Sequence, residues 1–517
     1  MNRARDEMME LAESFSLTTP FSEEVMAEVD HHLKQDGLED PRLADATGLP
    51  FVTIDNEDSR DLDQALFIER LAGGAHRVHY ALADASFYVR PGSALMAESL
   101  RRGASYYLPG FVAPMLPVEL SEGLVSLNPE VLRRAVVFVV DLDPAGEVVA
   151  LRVERQRIRS RAKLTYRGVQ ELWDDLDAGR ENHLENRDFS PSLFALREVG
   201  RRRIELAEAG GVVHYPRIEV DVGFADPEGR SFVAFESKRY ECDRANEQLS
   251  LLVNVEGAKL LERHARPDPT IAAVYRVHPA PEPDTLLALA DTSRQVMARH
   301  GLDPALSWQD DEPLSRWIAR LGQALGRHPA ALALQRQALL VNQRSSFAPE
   351  PGLHYGVGAP CYARFSSPMR EVVGIHTHRE ALEALGLEPA VAEVPGEREA
   401  IVEAANRAKD LQHLLTKRSN QLALTGLLAP DLERPEAQRP RRLGTVLGLG
   451  HDRLFVLLDG PPLEVKVYAR DLGERTKLET DALLVDGRPY ALGARVELVV
   501  LGFDRKRDRF ALSARLV

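Results

Sequence analysis

Cysteine is almost missing from this sequence. The two present, Cys242 and Cys361, stand far apart and in no metal-ligand spacing. That excludes a disulfide framework and a cysteine zinc site; two lone thiols fit a reducing cytoplasm, both as small buried side chains. Long apolar runs are missing too, so no membrane span is expected. The opening Met1-Asn2-Arg3-Ala4-Arg5-Asp6-Glu7 has none of the apolar stretch a secretory signal needs. Nor is there an excess of positive charge. The net charge of −14 argues against coating nucleic acid by bulk attraction, though not against a focused basic channel. What is there, 44% hydrophobic and 28% charged over 517 residues, is a globular composition with room for a large core and satellite domains.

One stretch organises the rest. Phe51-Val52-Thr53-Ile54 reads as a buried strand, and carboxylates follow at Asp55, Asp61 and Asp63. On an extended backbone Asp61 and Asp63 aim at one face and Leu62 at the core. Asp55 can reach the same point if the polar residues between loop out. Three hard oxygen ligands beside a buried strand suit Mg²⁺, with Mn²⁺ as the alternative. The competing reading is an acidic loop facing water. A calcium EF-hand loop is excluded, because Arg60 stands where the turn glycine belongs and Leu66 where the last ligand belongs.

Ahead of this stretch, residues 1–47 look helical. Ser22 can cap a helix with Glu23 and Glu24 in its first turn, and Gly37 can stop it. The pair His31-His32 is expected to face solvent, since neighbours on a helix point about 100° apart. After it, strands are expected over 134–142 and 148–159, a helix over 193–209, and strands over 212–221 and 230–240. A helix over 243–264 carries Glu247 and Asn254 seven apart on one face. Residues 284–345, 378–387 and 397–427 are mostly helical. On the strand at 148–159 and just beyond it, Arg155, Arg157, Arg159 and Arg161 share a face; they can track phosphates or simply guard a solvated edge. A proline-rich, charged linker follows at 429–440. Five short alternating strands within 441–517 then suit an OB barrel, with a net charge of +3. There, Phe455, Tyr468 and Phe510 can stack on bases or fill the barrel core.

The acidic stretch is followed, in order, by Ala83-Asp84-Ala85-Ser86-Phe87-Tyr88-Val89, Arg102-Gly103-Ala104-Ser105-Tyr106-Tyr107-Leu108-Pro109-Gly110 and Pro114-Met115-Leu116-Pro117. Tyr275-Arg276-Val277-His278-Pro279 and Ser366-Ser367-Pro368-Met369-Arg370 come later. This order resembles the catalytic (RNB) domain of the ribonuclease II and ribonuclease R family of processive 3′→5′ exoribonucleases, over about residues 48–425. The resemblance implies an α+β fold: a mixed α/β catalytic domain over 48–428, a linker, and an RNA-binding OB domain over 441–517. Family members commonly carry two cold-shock-type OB domains ahead of the catalytic domain. Residues 1–47 are too few for those, so a small helical module is expected, with a helix-turn-helix as one form it can take.

The resemblance also assigns roles. Asp55, Asp61 and Asp63 fall on family aspartates that hold Mg²⁺ or organise the attacking water, and Asp63 and Arg370 are the catalytic pair, with Arg370 neutralising the scissile phosphate. Tyr107 falls on the tyrosine that stacks on the 3′-terminal base, and Glu247 or Asn254 can contact RNA. The implied partners are single-stranded RNA and RNA with 3′ overhangs, the implied state a cytoplasmic monomer. Two departures stand out. Gln64 occupies the place of a fourth aspartate, and the family glutamate on the helix before the OB domain has no counterpart in Leu415-Thr416-Lys417-Arg418-Ser419, leaving Glu403 as a substitute. These departures favour a rival reading, a catalytically silent RNA-binding protein that keeps the fold.

Overall fold

Seven strands form the sheet that carries the acidic stretch. Across the sheet they run Ala44–Asp45, Val148–Arg159, Leu132–Leu142, His76–Ala83, Gln64–Arg70, Val52–Asp55 and Ala162–Thr165. The centre is antiparallel, and both outer pairs are parallel. The two-residue period sorts its side chains. Val52, Ile54, Leu66, Ile68, Tyr80 and Phe138 pack with helices Ser190–Ala209 and Glu241–Ala265. Phe51, Ala65, Ala81 and Val137 pack on the other face, with helices Glu23–Lys34, Ala94–Arg102, Val372–Ala384 and Glu397–Leu428. The chain is described from a computed structural model over all residues except 1–2, 214–218, 269, 310–311 and 391–393. Among the described residues no helix is long and apolar enough to cross a membrane.

The C-terminal region holds the five expected strands in one antiparallel sheet: Glu464–Tyr468, Arg453–Leu458, Arg442–Leu449, Arg495–Asp504 and Arg509–Leu516. Bulges at 446–448 and 500–502 curl it. Its two edge strands approach each other, yet no strand pairing joins them among the described residues, so the region is OB-like without a closed barrel. A second, three-stranded antiparallel sheet covers Thr476–Ala491.

Four expectations change here. The two N-terminal helices do not form a helix-turn-helix unit. Met8 and Ala12 of Arg3–Ser14 join a cluster with Tyr106, Leu108 and Leu415, whereas Val25 and Val29 of Glu23–Lys34 join the sheet core. The arginine stripe is not a solvated edge: its strand lies inside the sheet, and three of its four arginines pair with carboxylates, Arg155 with Asp84 and Glu388, Arg157 with Asp45 and Arg161 with Asp188. The linker is packed: Asp431 is buried and paired with Arg442, and Arg439 donates to the carbonyls of Val500 and Leu501. Of the strand expected at 212–221, Val220–Phe224 carries the end, and 214–218 lie outside the described residues.

Candidate active site

Asp63 sits one residue before the strand Gln64–Arg70 and has no exposed surface. Its Oδ1 accepts from the Met369 backbone N–H at 2.8 Å and its Oδ2 from Arg370 Nε at 2.5 Å. Burial pushes Asp63 up to about 6, against the pull of Arg370 and the Met369 N–H, while the neighbouring Asp61 charge raises it further. Ser126 fixes the turn that carries this acid: its Oγ donates to the Arg60 carbonyl at 2.7 Å and accepts from the Leu62 N–H at 3.0 Å. Lys163 ties down the loop before it by donating to the carbonyls of Glu57 and Ser59 at 2.8 and 2.5 Å. The sequence reading missed Ser126. Its signal, Ser126-Leu127-Asn128-Pro129, lies more than sixty residues from its partner.

Arg370 is positioned from below by Asn254. That side chain is completely buried, accepts from the Phe365 and Ser366 N–H groups at 2.7 and 3.1 Å, and donates to Tyr362 Oη and Ser366 Oγ at 2.8 and 3.1 Å. With its amide fully engaged, Asn254 is a positioning residue and not an RNA contact. Glu247, two turns earlier on the same helix, is at the surface and pairs with Arg239 at 2.8 Å. Seven residues share a face, but the helix enters the core between them. Arg364 and Glu371 pair at 2.8 Å across the same turn.

The tyrosine segment is laced to that turn. The Ser105 N–H donates to the Arg370 carbonyl at 2.9 Å and the Val372 N–H to the Gly103 carbonyl at 3.0 Å. Gly103 has φ +75°, and a Cβ there would sit 2.9 Å from the Ala404 carbonyl of the long helix, so no side chain fits. Of the two tyrosines, Tyr106 is buried and Tyr107 is 45% exposed, with its hydroxyl donating to Asp61 Oδ2. Two linked pairs result: Asp63 with Arg370, and Asp61 with the half-exposed Tyr107.

Among the described residues no three of His, Cys, Asp and Glu come close enough to cage a metal. The expected convergence of Asp55, Asp61 and Asp63 therefore does not form. Asp55 is held by its own loop, accepting from the Asn56 N–H at 2.7 Å and from Ser59 Oγ at 2.9 Å. Gln64 is engaged as well, its Oε1 accepting from the Tyr80 hydroxyl. Glu403, the substitute for the missing glutamate, is exposed and faces Arg407 one turn along its helix. The donor chemistry nonetheless suits Mg²⁺. That ion is usually held by one or two carboxylates, with water and substrate phosphate completing its shell, rather than by an all-protein cage. Asp61 and Asp63, whose charges act on each other, are the two carboxylates that would supply that hold.

Beyond the pairs, a cavity of 1480 Å³ opens between the long helix Glu397–Leu428 and the C-terminal sheet. Phe455, Tyr468 and Phe510 all line it. Arg336 lies 5.1 Å from the Phe455 ring and Arg509 4.3 Å from the Tyr468 ring, while Phe510 also packs on the sheet core.

Residues 43–386 match the family model described as RNB domain. Ribonuclease R of Escherichia coli (strain K12) is 31% identical over 336 residues, which cover 65% of this chain and 39% of that protein. The chain thus spans about two fifths of the length of that curated relative. Among solved structures, RNase R of Mycoplasma genitalium in complex with ribose methylated single-stranded RNA superposes with a TM-score of 0.83 at 21% identity, over 98% of this chain and 77% of that one. Yeast Ssd1, described as a pseudonuclease, has a TM-score of 0.63 at 13% identity, over 93% and 54%.

Proposed function

Because the chain belongs to the RNB domain family, we propose that it is a Mg²⁺-dependent, processive 3′→5′ exoribonuclease that releases nucleoside 5′-monophosphates from single-stranded RNA and from RNA with 3′ overhangs. The observation that carries this reading is the pair of a fully buried Asp63 with a part-exposed Arg370 beside an exposed Tyr107. Asp63 holds the guanidinium through Nε and leaves its remaining N–H groups for a phosphate, which a guanidinium can grip bidentately. Tyr107 offers its ring to the terminal base, and its bond to Asp61 fixes the distance between that base and the acids. Asp61 and Asp63 would hold Mg²⁺, with water and substrate phosphate completing its shell and Asp55 left to its own loop; the ion would supply charge neutralisation and a more acidic water. The test is RNA labelled at either end, incubated with Mg²⁺ or with EDTA. The expected result is 5′-labelled RNA passing from full length to a short limit product with few intermediates, and 3′-labelled RNA releasing a labelled mononucleotide from the start, both silenced by EDTA. Internal fragments, or EDTA-resistant decay, would discard the reading.

A second reading, an RNA-binding protein without hydrolysis, is favoured by one observation: Gln64 stands in a family aspartate position and is spent on Tyr80. Gln64→Asp discriminates. Equal or higher activity at low Mg²⁺ is expected, since a charge is returned to the metal side. A large loss would instead give the Gln64–Tyr80 bond a role of its own. For Tyr107→Ala, the final oligonucleotide should lengthen by a few nucleotides while long RNA is still degraded. A lost base–aromatic stack costs about 1–3 kcal/mol and matters most when few other contacts remain. Gel or mass analysis of the limit product checks it; an unchanged product would remove Tyr107 from the substrate.

A further inference from the structure

Three cations gather at Ser345, and among the described residues none of them is in a salt bridge. Lys409 Nζ donates to the Ser345 carbonyl, Arg276 Nε and Nη2 donate to its Oγ at 3.2 and 3.1 Å, and Arg344 is its chain neighbour. Arg344 is exposed, with neither a hydrogen bond nor an ion pair among the described residues. Glu371, the carboxylate nearest in effect to Arg276, is committed to Arg364. Asp410 acts on Lys409 from the next position without pairing with it. Burial, helped by Arg276 and Arg344 and opposed by Asp410, holds the Lys409 ammonium below the ordinary lysine value.

The cluster lies on a path. Lys409, His413, Thr416 and Asn420 recur at helical spacing on the long helix, and the last three line the cavity. At the other end, Arg276 acts on Glu371, next to Arg370. We propose that Arg344 and Lys409, backed by Arg276, form a clamp for backbone phosphates of single-stranded RNA upstream of the scissile bond, between the cavity and Arg370. The proposal rests on the RNA reading of the site. Phosphate is the chemistry that fits: three cationic side chains without a salt bridge among the described residues, with Arg344 exposed at the surface.

The test uses the full chain carrying Asp63→Asn, so that RNA is bound and not consumed, with a uridine 20-mer as probe over a range of salt. Each phosphate contact on a single strand contributes about 0.7 to the slope of log affinity against log salt. Arg344→Ala should lower the slope by about 0.7 and weaken binding about fivefold at 0.1 M salt. Adding Lys409→Met should roughly double both changes on the logarithmic scale. Arg344→Lys should restore the slope. An unchanged slope with Arg344→Ala overturns the clamp, as does weaker binding at constant slope, whatever the nuclease does. If wild-type protein binds without cleaving and Arg344→Ala still loses slope, the clamp stands and the nuclease reading fails.

Discussion

Asp63→Asn is expected to slow hydrolysis by on the order of a thousandfold, the scale of losing a charged contributor to a preorganised site, while RNA affinity stays nearly intact. The two halves of the prediction come from the same fact. Asp63 has no exposed surface, so it adds nothing to the RNA path, yet it is the anion that holds Arg370. Asparagine keeps the shape and can still accept the Met369 N–H. It cannot match the guanidinium charge, so Arg370 loses its fixed direction. Single-turnover rates and filter binding on one preparation separate the two effects. Near wild-type turnover would show that the acid assigned to the reaction centre is not there.

Asp84→Ala is expected to cost about 3–5 kcal/mol of stability, the range found when one member of a buried ion network is removed. Asp84 follows the strand His76–Ala83 and is fully buried between Arg134 and Arg155, each at 3.2 Å. Arg155 also pairs with Glu388, and Arg90 reaches Glu388 at 3.0 Å. Arg134 lies 3.6 Å from the Phe87 ring and is itself buried. Without Asp84, two guanidiniums face each other in a region that water does not reach. The denaturant midpoint should fall with an unchanged slope. A loss under about 1 kcal/mol would mean that both arginines find other partners.

The same network shows what a sequence conceals. The acidic strand is legible as a local two-residue pattern, whereas the tyrosine pair and the Ser-Ser-Pro-Met-Arg turn are legible only through their resemblance to family motifs. Whether Arg155 meets water depends on which strands flank its own, and its partners Asp84 and Glu388 lie 71 and 233 positions away. Asn254 and Glu247 look alike on a helical wheel, yet one faces Tyr362 in the core and the other Arg239 at the surface. Asp55 was expected to join Asp61 and Asp63. Its own loop competes for it with a serine four residues on, a contact no spacing argument weighs. The proline-rich stretch read as loose because prolines stop helices; here they turn the chain so that Asp431 meets Arg442.

The long helix Glu397–Leu428 has a mechanical consequence. Near one end Ala404 abuts Gly103, beside the tyrosine segment; near the other, Leu424, Leu427 and Leu428 are sunk into the C-terminal sheet. At about 1.5 Å per residue, the stretch from Ala404 to Leu424 is a strut of roughly 30 Å. On the proposed RNA reading, it would hold the place where a strand is first gripped at a set remove from the place where its last base is stacked. The shortest tail that can be drawn taut is then fixed by the length of one helix, as a gauge block fixes a gap, independent of base sequence.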